Sequence, residues 1–236
     1  FATVVEGLTK ERITTVFTDE ATLLSALPHL YSLKGYPVVV NIELALNEYS
    51  AAPLLKDLSY VTLISNTSDN LSRHAVAATR IASETLQPVL HFVNLACVGE
   101  IAPVKLTPFE VAQEPSEGDA VYETLKKSSY HCSAESPSTL IINLSPYGES
   151  FVRELPSNAA LIDIQVYRPW NFNEFFEQVP TSVQNIAIIQ RTNNPLSPSG
   201  FEPILLDFFA DFNLLVERGI QQLIVTNIGE LKETAR

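Results

Sequence analysis

An α/β protein, built as two three-layer units with mainly parallel sheets, is the fold class that the sequence predicts. Short β-rich runs alternate with helical patterns along the chain, as parallel α/β architecture requires. Several of those runs are apolar without interruption, such as Pro37–Ile42 (PVVVNI), which is the pattern of strands covered on both faces. In the second half, short links join one strand–helix repeat to the next, so the units are expected to be Rossmann-like.

Ile13 to Phe17 is the first expected strand, followed by Leu23, Leu24, Leu27, Leu30 and Tyr31 at helical spacing. Pro28 must start or kink that helix, because proline has no N–H and clashes with the preceding turn. Pro37–Ile42 is the next strand, Ala51 to Leu58 a short helix, and Tyr60 to Ile64 a third strand. Ser68 to Leu86 is again helical, and Pro88 to Val93 (PVLHFV) closes the first unit, residues 1–102.

The composition changes between Pro103 and Pro137, which bound four prolines, the acids Glu114, Glu117 and Asp119, and a modest helix near Ala120 to Lys127. Residues 103–137 are therefore expected to form a linker. The second unit, 138–236, opens with the strand Thr139 to Leu144 and the helix Tyr147 to Leu155. Next come the strand Leu161 to Val166, the helix Asn171 to Val179 introduced by Pro169, and the strand Ile186 to Gln190. A long helix from Ile204 to Arg218 ends at Gly219, suited to a left-handed cap, before the last strand, Gln222 to Thr226.

Composition excludes several classes. The 236 residues are 46% hydrophobic and 18% charged, which excludes a disordered tail. The net charge of −12 and the absence of any run beyond Lys126-Lys127 disfavour a nucleic-acid binder. No apolar run approaches the roughly 20 residues of a membrane helix, and no secretory signal is visible. A chain that begins at Phe1 and contains no Met is expected to be a piece of something longer. Cys97 and Cys132 form no Cys-x-x-Cys pair and read as reduced thiols of a cytoplasmic protein.

No complete catalytic, cofactor or metal site is evident. Eight glycines include neither a G-x-G-x-x-G nor a phosphate-binding P-loop. His29, His74, His91 and His131 are widely spaced, and His91 inside PVLHFV reads as a hydrogen-bonded core histidine. Arg168, in Val166-Tyr167-Arg168-Pro169-Trp170, and Arg191, in Ile188 to Pro195, each stand at the end of a strand, where doubly wound sheets present ligands. An anion site is one reading of that pair. The favoured reading is that they tie loops to carbonyls and carboxylates.

The same segments carry a resemblance. Tyr167-Arg168-Pro169-Trp170, Ile186-Ala187-Ile188-Ile189-Gln190-Arg191-Thr192-Asn193-Asn194-Pro195 and Glu202-Pro203-Ile204-Leu205-Leu206-Asp207 resemble the second domain of pyruvate:ferredoxin/flavodoxin oxidoreductases. Thr14 to Phe17 and Pro88-Val89-Leu90-His91-Phe92 are similar to the tail of that family's first, pyrimidine-binding domain. Thr14 to Glu20, His29 to Leu33, Leu55 to Ser59, Asn143 to Tyr147, Tyr167 to Phe172 and Leu205 to Phe209 resemble more closely the amino-terminal region of fungal NADPH-dependent assimilatory sulfite reductase hemoprotein (beta) subunits.

That resemblance implies a cytosolic oxidoreductase reducing sulfite to sulfide for cysteine and methionine synthesis. Electrons pass from NADPH through FAD and FMN to a siroheme coupled to a [4Fe-4S] cluster, and the partner is the flavoprotein (alpha) subunit. Cys97 and Cys132 match neither cluster-binding motif, so that chemistry is expected outside this chain. Relatives that bind thiamine diphosphate and a 2-oxoacid end the strand matching Val38 to Leu44 in an arginine; here it reads Val40-Asn41-Ile42-Glu43-Leu44. The expectation is a non-catalytic structural and assembly module. The alternative is a thiamine-diphosphate/2-oxoacid-binding domain.

Overall fold

The computed structural model describes residues 1–44, 51–95, 110–115, 128–132, 134–145, 148–169, 172–191 and 212–228. The chain divides into two compact units. The first, residues 1–46, 54–127 and 165–169, contains a five-stranded sheet; the second, 47–53, 128–164 and 170–236, contains another.

In the first unit, helix α1 (Ala2–Glu6) precedes strand β1 (Thr14–Asp19). The short helices α2 (Glu20–Ser25) and α3 (Leu27–Leu30) lead to β2 (Val38–Glu43). Asp19 caps α2 by accepting from the Thr22 amide at 2.8 Å and from its hydroxyl at 2.9 Å. Pro28 stands in the first turn of α3, where its missing N–H costs nothing. After α4 (Ala51–Leu54), of which residues 51–53 are assigned to the second unit, come β3 (Val61–Ser65), the 18-residue helix α5 (Ser68–Thr85) and β4 (Val89–Val93).

Strands β3 and β4 are buried at every position, as their apolar runs predicted. Four of the strands lie in the order β1-β2-β4-β3, all parallel. The crossover β1→β2 runs in the opposite direction along the sheet from β3→β4. Right-handed crossovers therefore place α2 and α5 on opposite faces. Helix α5 packs against β4, β3 and β2, with Ala78, Ile81 and Ala82 against Val39, Val61, Leu63 and Val89. Thr67 caps it, its hydroxyl accepting from the Asn70 amide at 3.1 Å.

In the second unit, β5 (Ser128–Cys132), β6 (Thr139–Leu144), β7 (Ala159–Ile164), β9 (Asn185–Arg191) and β10 (Gln222–Ile228) are ordered β10-β9-β6-β7-β5. All pairs are parallel except β5–β7. Helices α6 (Gly148–Arg153), α7 (Phe172–Glu177) and α8 (Phe212–Glu217) accompany them. Gly219 closes α8 at φ +72°, the left-handed conformation expected of it.

Two details depart from the sequence expectation. Ser128–Cys132, inside the expected linker, is an edge strand of the second sheet. The expected strand Leu161 to Val166 breaks at Gln165, and Val166–Arg168 (β8) instead pairs antiparallel with β3 in the first sheet. A run of strand-forming residues holds no sign of which sheet its backbone joins; the edge of β3 decides it, where the Ile64 amide donates to the Gln165 carbonyl at 2.8 Å. The helices expected at 120–127 and 204–211 lie outside the described residues. Among the described residues, no helix is long and apolar enough to cross a membrane.

Candidate functional site

The α5 face of the first sheet carries the unit's polar chemistry. Asn41 on β2 and His91 on β4 are register partners, and Ser65 stands two residues beyond Leu63, the β3 partner of His91. All three therefore project to one face. His74 descends onto them from α5. The His91 Nδ1 lies 2.9 Å from Asn41 Oδ1, His91 Nε2 lies 2.7 Å from Ser65 Oγ, and Ser65 Oγ lies 3.0 Å from His74 Nδ1.

Hydrogen-bond chemistry sets the direction of this chain. Asn41 Oδ1 can only accept, so His91 carries its proton on Nδ1. His91 Nε2 then accepts from the Ser65 hydroxyl, whose oxygen accepts from His74 Nδ1–H. The far ring nitrogen, His74 Nε2, is buried and has no hydrogen-bond partner among the described residues. His91 and Ser65 are fully buried and His74 nearly so. Burial, reinforced by the Arg73 charge, pushes the His74 pKa down to about 4. Burial, with the neighbouring His74 next, pushes His91 down to about 3. Both rings are neutral at physiological pH.

Beside this chain lies a groove of about 460 Å³ at the carboxyl ends of β1, β2 and β4. Phe17 and Asp19 come from β1, Asn41 and Glu43 from β2, Leu71 from α5, and Val93 and Leu95 from the end of β4. The register pairs Phe17 with Asn41 and Asp19 with Glu43, so all four share the α5 face. Phe17 is 81% exposed and Leu95 51% exposed. Asn41 is common to groove and buried chain. The two hydrogen bonds from Thr22 hold the Asp19 carboxyl below the usual carboxylate range.

The strand expected to lack an arginine thus delivers Glu43 to the groove instead. Two carboxylates at this position attract a cation and repel a 2-oxoacid. Arg168 lies on β8, where it donates to the Tyr167 carbonyl at 3.1 Å and stands 4.9 Å from that ring's centroid. Arg191 ends β9 in the other unit. His29 and His131 are exposed, Cys97 lies outside the described residues, and the Cys132 thiol lies 2.8 Å from the Ala134 carbonyl. Among the described residues no cluster of three His, Cys, Asp or Glu side chains could hold a metal ion.

The second unit buries its own polar cluster. Asn143 at the end of β6 donates to Asp163 Oδ1 at 2.7 Å and accepts from the Ser145 amide and hydroxyl at 3.0 and 2.6 Å. The sequence reading of His91 as a hydrogen-bonded core histidine holds, but its partners and the second assembly were missed, although polar residues inside the strands (Asn41, Asn143, Asp163) were the available signal.

The fold has a counterpart among solved structures. The structure matches the 2-oxoglutarate:ferredoxin oxidoreductase of Magnetococcus marinus, solved with 2-oxoglutarate, coenzyme A and succinyl-CoA bound. The TM-score is 0.63 at 10% identity, over 97% of this chain and 52% of that one. The chain therefore has the fold of a 2-oxoacid:ferredoxin oxidoreductase.

At the level of sequence, the chain is similar to the sulfite reductase [NADPH] beta subunit of Saccharomyces cerevisiae, 41% identical over 98% of this chain. The same subunit of Schizosaccharomyces pombe is 23% identical over 86% of it. This chain spans 16% and 17% of those relatives' lengths. The pyruvate-flavodoxin oxidoreductase of Enterobacter agglomerans is 38% identical over 52 residues, 22% of this chain and 4% of that one. No protein-family model matches. The resemblance stated from the sequence motifs is thus found in the comparisons.

Proposed function

We propose that this chain is a non-catalytic structural and assembly module of a cytoplasmic NADPH-dependent assimilatory sulfite reductase, an oxidoreductase that reduces sulfite to sulfide. The observation that carries the reading is the likeness over nearly the whole chain to the beta subunit of that enzyme, in a chain folded like an oxoacid oxidoreductase. The siroheme and its [4Fe-4S] cluster do not fit this chain. Such a cluster takes four cysteine thiolates, and the sequence holds two cysteines. FAD, FMN and NADPH belong, on this reading, to the flavoprotein (alpha) subunit that the module helps to assemble or to adjacent domains.

Mixing the chain with the flavoprotein subunit on a sizing column tests the proposal. Co-elution at micromolar concentration is the expected result, and separate elution counts against it. The acidic groove supports this reading over a thiamine-diphosphate and 2-oxoacid site. Calorimetric titration with thiamine diphosphate and Mg²⁺ separates the two, since saturable heat would favour the cofactor site.

A further inference from the structure

We propose that the groove at the carboxyl ends of β1, β2 and β4 docks a segment of a partner protein that presents an arginine between apolar residues. Asp19 and Glu43 are register partners on adjacent parallel strands, so two carboxylates stand on one face with their strands about 4.8 Å apart. Among the described residues, neither is paired with a cationic side chain, whereas Arg73 pairs with Asp69 and Arg80 with Glu84 along α5. A cation placed between the two carboxylates relieves their mutual repulsion.

Phe17 selects the kind of cation. It stands two residues before Asp19, hence on the same face, with its ring 81% exposed beside Asn41. A guanidinium stacks flat on such a ring while its N–H groups fork to carboxylates, which the compact ammonium of lysine does less well. Leu71, Val93 and Leu95 form the apolar side of the groove and accept the residues flanking the arginine. The volume of about 460 Å³ exceeds one side chain, and the exposed Phe17 and Leu95 leave the groove open to solvent. An open groove with an aromatic anchor and apolar neighbours is the anatomy of a protein interface centred on arginine.

This inference concerns the groove alone and does not depend on which assembly the chain enters. The test is fluorescence anisotropy with a dye-labelled peptide carrying one arginine flanked by leucine and phenylalanine, against the same peptide with glutamate in place of arginine. Saturable binding of the first peptide only is expected, with affinity falling about tenfold in the Asp19→Asn/Glu43→Gln double variant and falling further with added salt. Asparagine still caps α2, and Phe17→Ala removes a ring that is largely in solvent, so both variants keep the fold, as circular dichroism will verify. Phe17→Ala should weaken binding as well. Equal affinity for the two peptides, no saturation, or binding unchanged in the double variant overturns the proposal. Binding of arginine methyl ester as tight as the peptide would assign the groove to small cations and overturn it too. So would dimerisation of the chain that the double variant abolishes, which would give the groove to a second copy.

Discussion

Replacing Ser65 with alanine should be among the most costly single-atom deletions in the first unit. The hydroxyl is fully buried and joins two ring nitrogens, His74 Nδ1 at 3.0 Å and His91 Nε2 at 2.7 Å. Its removal strands one buried donor and one buried acceptor. With each buried unsatisfied group costing about 1–3 kcal/mol, the variant loses about 2–4 kcal/mol after local relaxation. Urea denaturation followed by circular dichroism measures this, with Ser25→Ala at an exposed helix end as control.

The same chain makes stability depend on pH with a definite sign. Both histidines titrate near 6.5 in the unfolded chain but only near 4 and 3 when folded. Between those values the unfolded state binds more protons, so stability is complete above pH 6.5 and falls as the pH drops. Each histidine contributes up to about 1.4 kcal/mol per pH unit across its window, and with the unfolded rings half protonated at pH 6.5, acidification from there to pH 5 costs about 3 kcal/mol in all. His74→Leu should halve that slope. A loss below about 0.5 kcal/mol for Ser65→Ala, or a slope in that window unchanged by His74→Leu, would refute the buried, neutral chain.

Other perturbations test the rest of the fold. Tyr167→Ala on β8 empties a fully buried site and should cost about 3–5 kcal/mol by thermal denaturation. In the same strand, Val166→Pro should disrupt pairing with Leu63, and hydrogen exchange should report faster amide loss across Val61–Ser65. Thr67→Ala removes the α5 cap and should cost about 1 kcal/mol, which Thr67→Ser restores. Asn143→Asp places a second carboxylate against buried Asp163, so it should destabilise the second unit more at pH 8 than at pH 5, seen as a wider gap in Tm from wild type.

How much was legible in advance can be argued from particular residues. Apolar runs such as Pro37–Ile42 and Pro88–Val93 pointed to buried parallel strands, because they are short, begin at a proline and are rich in β-branched residues. Pro28 and Gly219 marked a helix start and a helix end through backbone constraints that act locally. The kinship legible in Tyr167-Arg168-Pro169-Trp170 and the motifs around it was likewise a property of the sequence alone. Tertiary structure decided what depends on register and on sheet edges. Asn41, Ser65, His74 and His91 lie 9 to 50 positions apart in their bonded pairs, and only the alignment of β2, β4 and β3 beneath α5 brings them together. Whether Val166–Arg168 continues β7 or crosses to β3 is likewise invisible in the sequence of the strand. Backbone hydrogen bonds carry no residue code, and the free edge of β3 alone selects the partner.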